Sequence, residues 1–87
     1  MYKVVIAEDA ASFIRGQTKK IQRQFDKKIK TLKKNPYPSN CIKLKGQNDL
    51  YRICSGWYRI IYTVKNKEVT VLVLRVAHRR HVYKRLP

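Results

Sequence analysis

Acidic residues are scarce in this sequence. Five aspartates and glutamates stand against 21 lysines and arginines, which gives a formal net charge of +16 over 87 residues. So large an excess of one sign goes far beyond what solubility requires. We therefore expect an anionic partner. Nucleic acid, an anionic membrane surface and a strongly acidic protein each fit that charge.

Long apolar runs are absent. No run approaches the roughly 18 residues that a membrane span needs, and no hydrophobic segment follows the N-terminus. We expect neither a membrane anchor nor a signal peptide, and therefore a cytoplasmic protein with no membrane partner.

The chain has two cysteines, and their spacing does not fit a metal site or a redox site. Cys41 and Cys54 lie thirteen positions apart and form no C-x-x-C pattern. This spacing predicts neither a zinc site nor a redox pair, so both are expected to be reduced thiols. The chain length suits one small core, and we expect a single domain over residues 1–87.

The first half of the chain predicts a strand and two helices. Residues 2–6 are β-branched and apolar, typical of a short strand. A short helix is predicted over residues 8–16, with acidic residues at its start and Gly16 at its end. The clearest helix runs over residues 18–34, where Ile21, Phe25, Ile29 and Leu32 recur at intervals of four, four and three.

The second half predicts three strands in antiparallel succession. Prolines in residues 35–40 stop the helix, and a loop over residues 41–49 follows. Strands are predicted over residues 50–55 and 57–64, around Gly56, and over residues 68–76. In the turn between the last two, we expect Asn66 to tolerate a left-handed conformation. The result is an α+β fold, with two N-terminal helices on one face of a mainly antiparallel four-stranded sheet.

The other sheet face is predicted to be open and basic. Alternation puts Arg52 and Cys54 on one side of their strand and Tyr51 and Ile53 on the side of the helices. If Arg59 shares the open side, the two arginines and the region of Arg79 form one basic surface.

The last strand runs directly into a charged cluster. Residues 77–83 hold two arginines, two histidines and a tyrosine. Guanidinium donors and titratable groups at the rim of a sheet are suited to gripping a phosphate-bearing ligand, which favours RNA.

In order and spacing, several segments resemble the RelE/ParE toxin superfamily, and specifically its ribosome-dependent mRNA interferase branch. The resemblance covers nearly the whole chain. It is carried by Lys-Leu-Lys-Gly at 43–46, Tyr-Arg-Ile at 51–53, Gly-Trp-Tyr-Arg-Ile-Ile-Tyr at 56–62, the strand at 69–76, His-Arg-Arg at 78–80 and Val-Tyr at 82–83.

The resemblance implies the RelE-like microbial RNase fold and the toxin of a type II toxin–antitoxin module. Such a toxin enters the ribosomal A site, contacts ribosomal RNA and cleaves mRNA there, which inhibits translation. The 2′-hydroxyl of the messenger attacks the adjacent phosphate and leaves a 2′,3′-cyclic phosphate, so neither metal nor organic cofactor is implied. A cognate antitoxin, acidic overall or locally, holds the toxin inactive.

Three catalytic residues follow from matching positions in the family. Arg59 would hold the scissile phosphate and stabilise its developing charge. Arg79 would assist departure of the 5′-oxygen electrostatically, although the adjacent Arg80 competes for that assignment. Tyr83 would stack on or activate the substrate, but packing of the C-terminal segment explains this tyrosine equally well.

The sequence departs from the family at two lysine positions, which hold Arg52 and Cys54. Because arginine stays charged, Arg52 is interpreted as a phosphate clamp and not as a base. Cys54 is interpreted as a packing residue. The identity of the general base is thus open, and His78 is the favoured replacement because imidazole titrates near neutral pH.

A further set of basic residues is predicted to bind RNA or the ribosome. Asp26 is the only acid between Asp9 and Asp49, whereas a merely solvated helix would normally mix signs. The set is Lys19, Lys20, Arg23, Lys27, Lys30, Lys43, Lys45, Arg80 and His81. Trp57 either stacks on a base or caps the core.

Two rival functions remain open. The ParE branch shares the fold but inhibits DNA gyrase without cutting RNA. A catalytically silent RNA-binding domain would use the same basic face for affinity alone.

Overall fold

Two helices cover one face of a five-stranded sheet. The computed structural model describes residues 1–44 and 49–81. Strand β1 spans Lys3–Ile6 and is followed by helices α1 (Glu8–Arg15) and α2 (Lys19–Lys34). The Thr18 hydroxyl accepts a hydrogen bond from the Ile21 N–H at 3.4 Å, which satisfies one unpaired donor at the start of α2. Both predicted helices are thus confirmed. Neither helix in the described ranges has the length and apolarity needed to cross a bilayer.

The sheet contains one strand more than predicted. After α2 come β2 (Ile42–Lys43), β3 (Tyr51–Ser55), β4 (Tyr58–Lys65) and β5 (Thr70–His78). Their order in space is β1-β5-β4-β3-β2, with β1 parallel to β5 and every other neighbouring pair antiparallel. Strand β2 was predicted as loop because two residues carry no periodicity. Its place is set by pairing with β3, where Ile42 opposes Arg52.

The two hairpin connections differ in their conformation. The two-residue loop between β3 and β4 begins with Gly56 at φ +60°. A tight hairpin turn with glycine at its first loop position requires this positive φ. Between β4 and β5 lies a short 3-10 turn, Asn66–Glu68. The left-handed residue there is Val69, at φ 50°, so the expectation for Asn66 was wrong.

The main core lies between the helices and the sheet. Helix α2 contributes a stripe of three buried side chains, and strands β3, β4 and β5 contribute their helix-facing residues. Its fully or almost fully buried members are Ala10, Phe25, Ile29, Leu32, Ile53, Ile60, Tyr62, Val71, Val73 and Val76. Each large side chain in such a core stabilises the fold by about 1.5–3 kcal/mol.

The opposite sheet face, which we call the open face, is only partly open. Leu50 and Ile61 are buried on it and pack with Leu44, Leu74 and Ala77. The pairing of β4 with β5 contains a β-bulge between Ile61 and Tyr62, beside this second cluster. The open face therefore combines an apolar patch with the predicted basic surface.

Candidate active site on the open face

Strand register brings Arg52 and Arg59 to the same face. In the β3–β4 pair, Arg52 opposes Ile61 and Cys54 opposes Arg59, and opposed residues share a face. Their sequence neighbours Ile53 and Ile60 point into the main core. Both arginines are half-buried. Arg52 lies on the open face as predicted, and the condition that Arg59 shares this face is met.

Arg79 lies just beyond the end of β5, against the β3–β4 hairpin. Its backbone N–H donates to the Trp57 carbonyl at 2.8 Å, which continues the β4–β5 ladder by one step. Because Ala77 is on the open face, alternation puts Arg79 on that side as well. Its guanidinium carbon lies 4.5 Å from the centre of the Trp57 ring. The hairpin thus gives the Arg79 side chain a fixed support.

His78 lies on the other face of the sheet. It opposes Tyr58 across the β4–β5 pair, and the two ring centres are 5.9 Å apart. Tyr58 in turn packs edge-on against Phe25 of α2 at 5.3 Å. The sequence interpretation assigned His78 to the same catalytic cluster as Arg59, but the register directs the two side chains to opposite sides.

The environment of His78 favours the neutral imidazole. Desolvation by its surroundings lowers the pKa of His78 below the usual 6.5, and the positive charges of Arg80, His81 and Arg79 lower it further. The Nδ1 atom accepts a hydrogen bond from the Arg80 backbone N–H at 3.2 Å. A neutral ring with this acceptor role is in the protonation state that a general base needs.

The predicted RNA-binding residues on α2 form a single stripe. With 3.6 residues per turn, positions 19, 23, 27 and 30 fall within about 80° of one another, and Lys20 lies at the edge of that sector. The buried residues Phe25, Ile29 and Leu32 lie on the opposite side of the helix. We call these five basic residues the α2 stripe: Lys19, Lys20, Arg23, Lys27 and Lys30, all of them exposed.

The α2 stripe and the open-face arginines lie on opposite sides of the domain. Helix α2 packs its apolar side on the helix-covered face of the sheet, so its stripe points away from the sheet. Lys43, Arg80 and His81 are also exposed, Lys43 on the edge strand β2 and the other two after β5. Lys45 and Tyr83 lie outside the described residues.

Trp57 is a candidate residue that sequence reasoning left undecided. It is 61% exposed, which disfavours the alternative that it caps the core. Its contact with Arg79 depends on two segments that are 22 positions apart, which no local pattern reveals. In the described ranges, no group of three or more histidine, cysteine or acidic side chains is arranged to hold a metal ion.

Comparison with known proteins accounts for this combination of fold and surface. A family model described as the ParE toxin of the type II toxin-antitoxin system, parDE, matches residues 4–83. The chain belongs to this toxin family. A RelE-like toxin protein of Escherichia coli is 36% identical over 81 residues, covering 90% of this chain and 83% of the relative.

Solved structures confirm the toxin fold. The RelE–RelB complex from Pyrococcus horikoshii superposes with a TM-score of 0.80 at 30% identity, covering 93% of this chain and 98% of the matched one. The isolated Escherichia coli RelE toxin gives a TM-score of 0.78 at 29% identity, covering 90% and 84%. The protein is therefore a RelE-like toxin of a type II toxin–antitoxin system, and the superfamily expected from the sequence is confirmed.

Proposed function

We propose that this toxin is a ribosome-dependent endoribonuclease that cleaves mRNA in the A site and so inhibits translation. The observation that carries the proposal is the placement of Arg52 and Arg59 together on the open face, with the α2 stripe on the opposite side of the domain. A protein that is basic on two opposite sides is suited to an RNA-lined cavity, where it contacts ribosomal RNA on one side and messenger on the other.

The proposed chemistry uses the messenger as its own nucleophile. The 2′-oxygen attacks the adjacent phosphorus, the bond from phosphorus to the 5′-oxygen breaks, and a 2′,3′-cyclic phosphate remains. The guanidiniums of Arg59 and Arg52 bind the non-bridging oxygens and stabilise the charge that develops on them. The 2′-hydroxyl proton passes to solvent water, and the departing 5′-oxygen takes a proton from water while Arg79 neutralises its developing charge. This route involves neither metal nor organic cofactor.

Neither Arg52 nor His78 is assigned as the acceptor of the 2′-hydroxyl proton. Arg52 stays protonated, so it is a clamp. A lowered pKa favours the neutral imidazole of His78, but its ring packs on Tyr58 on the helix-covered face, away from Arg59. We therefore assign His78 a supporting role at the rim, next to Arg79 and Arg80. Tyr83 remains the proposed contact to the substrate sugar or base.

A cognate antitoxin is the proposed regulator. The similar toxins of Pyrococcus horikoshii and Escherichia coli were crystallised in RelE–RelB and RelBE complexes. With a net charge of +16, this toxin would bind an antitoxin that is acidic overall or in the segment that covers the open face.

Inhibition of DNA gyrase is the second candidate function, because the matching family model is named for ParE. In that case the basic surface contacts the enzyme or its DNA, and messenger stays intact. A supercoiling assay with purified gyrase separates the two, since an interferase leaves supercoiling unchanged.

Primer extension on a defined messenger translated in vitro tests the main proposal. Wild type, Arg79→Ala and a ribosome-free reaction are compared, with the toxin folded and free of antitoxin. We expect cuts within A-site codons that require ribosomes and disappear with Arg79→Ala. Intact messenger with unaffected translation would refute the proposal and favour gyrase.

A further inference from the structure

The indole of Trp57 is exposed in a way that packing does not explain. It stands on the hairpin loop after Gly56, with 61% of its surface accessible. One side of the ring carries the Arg79 guanidinium, 4.5 Å from the ring centre. A large aromatic surface held open beside a cation resembles the platforms on which proteins stack nucleic acid bases.

We propose that Trp57 is the stacking site for a nucleobase next to the scissile phosphate. The base lies on the accessible surface of the indole, while Arg79 remains in contact with the ring. This inference rests on the proposed function for the identity of the RNA. It adds a base contact that is separate from the phosphate contacts of Arg59 and Arg52.

Strand geometry makes the two contacts compatible. Trp57 is the last residue of the hairpin loop and Arg59 is the second residue of β4, so at the rise of a strand they are about 6.6 Å apart. That distance is comparable with one nucleotide of extended single-stranded RNA. A base on Trp57 and the phosphate of the neighbouring nucleotide on Arg59 can therefore be bound at the same time.

An RNA base is favoured over a peptide side chain by the charge around the indole. Arg79 contacts the ring, and Arg59 lies two residues further along the chain, opposite Ala77 on the open face. Cations on this side provide phosphate contacts for every nucleotide that stacks, and stacking tolerates any base because every base has a π-face.

Intrinsic fluorescence tests the proposal directly, because Trp57 is the only tryptophan in the chain. The probe is a short single-stranded RNA with a 2′-deoxy nucleotide at the cleavage position, which prevents cutting. We expect saturable quenching by this RNA. A copy that is abasic at one position and a base-free polyphosphate of equal charge should bind with much weaker quenching.

Affinity of a labelled copy of the same RNA for variants provides the second measurement. Trp57→Ala should weaken binding about tenfold, the typical loss for one stacked base, and Trp57→Phe should retain most of the affinity. Tyr37→Ala is the matched control, because Tyr37 is an exposed aromatic at the other end of β3 that packs on Tyr51. It should leave the affinity unchanged.

The outcomes separate this inference from the proposed function. Quenching by RNA with no cleavage on ribosomes would refute the nuclease and keep the stacking site. Cleavage together with equal quenching by RNA and polyphosphate would refute the stacking site alone. If Trp57→Ala weakens binding of the antitoxin but not of RNA, Trp57 belongs to a protein interface and the proposal is wrong.

Discussion

Arg59 and His78 lie on adjacent, paired strands, but their side chains point to opposite faces of the sheet. Arg59 opposes Ala77 on the open face, whereas His78 opposes Tyr58 on the helix-covered face. The packing of Tyr58 against Phe13 and Phe25 fixes this orientation, because turning β5 over would expose its core residues. The open face thus presents arginines without the favoured histidine.

Replacing Arg59 should abolish most of the nuclease activity without unfolding the protein. We expect Arg59→Ala to lower the rate of messenger cleavage on ribosomes by about 10²–10³-fold, because a donor to the developing charge is lost. Arg15→Ala is the matched control; it removes one exposed arginine, paired to Glu8 at 2.7 Å, on helix α1, which packs on the opposite face of the sheet. His78→Gln should cost much less than Arg59→Ala. An equal loss of cleavage rate in Arg59→Ala and His78→Gln would contradict the assignment of Arg59, and not His78, to the catalytic face of the sheet.

His78 should titrate below the usual pKa of 6.5 in the folded protein. Between the folded and unfolded pKa values, the unfolded chain binds more protons. Stability is therefore lost as the pH falls from about 6.5 through the folded pKa. NMR titration of the His78 ring gives the pKa directly, and Arg80→Ala should raise it while Arg80→Lys should not. A pKa above 6.5 would contradict the lowering by desolvation and by the nearby cations.

Charge reversal on the α2 stripe should weaken docking while leaving the chemistry intact. The double variant Lys27→Glu, Lys30→Glu is expected to bind ribosomes less tightly and with a weaker dependence on salt, because fewer counterions are released. At saturating toxin its cleavage rate should match wild type. Lys65→Glu with Lys67→Glu, at the far end of β4, provides the charge-matched comparison. Equal losses of ribosome affinity in the two double variants would mean that only the net charge of the toxin determines docking.

Tyr62 should stabilise the fold through its buried hydroxyl. That group donates to the Pro36 carbonyl at 2.7 Å, joining the loop after α2 to the sheet, and burial raises the pKa of the phenol. Tyr62→Phe leaves the carbonyl without this donor and should cost about 1 kcal/mol of unfolding free energy. Urea denaturation measures it, with Tyr37→Phe as control, since that variant loses an exposed hydrogen bond from Asn66 Nδ2 at 3.2 Å. No difference between the two variants would mean that the buried bond contributes no more than an exposed one.

Val69 should be a site where substitution raises stability. A β-branched residue at φ 50° is strained, and its side chain is largely exposed, so little packing is lost on replacement. Val69→Asn should raise the unfolding free energy by about 1 kcal/mol, because asparagine tolerates the left-handed region. Val5→Asn, at an exposed position with ordinary strand conformation, should not stabilise. A lowered melting temperature for Val69→Asn would refute the claim of strain.

The sequence alone predicted the elements whose hydrophobic pattern is local and extends over many residues. Helix α2 was predicted because its apolar residues recur at helical spacing from Ile21 to Leu32. Strand β2 was missed because a two-residue strand is determined by its partner and not by its own sequence. The left-handed Val69 was missed because the residue type opposes the conformation, which tertiary context then imposes.

The candidate site was predicted only in part for a related reason. Alternation within β3 was enough to put Arg52 on the open face, because that depends on one strand alone. The face of His78 depends on the register between β4 and β5, which includes a β-bulge that no sequence pattern marked. The contact of Arg79 with Trp57 likewise requires two distant segments to be brought together by the sheet.

The central claim is that the open-face arginines catalyse attack by the 2′-hydroxyl of the messenger. Its most direct test is a ribosome programmed with a messenger that carries a single 2′-deoxy nucleotide at the mapped cleavage position, followed by analysis of the product ends. We predict that the ribonucleotide messenger yields a 2′,3′-cyclic phosphate and a 5′-hydroxyl, and that the deoxy messenger stays intact. Cleavage of the deoxy messenger, or products with 3′-hydroxyl and 5′-phosphate ends, would contradict the account.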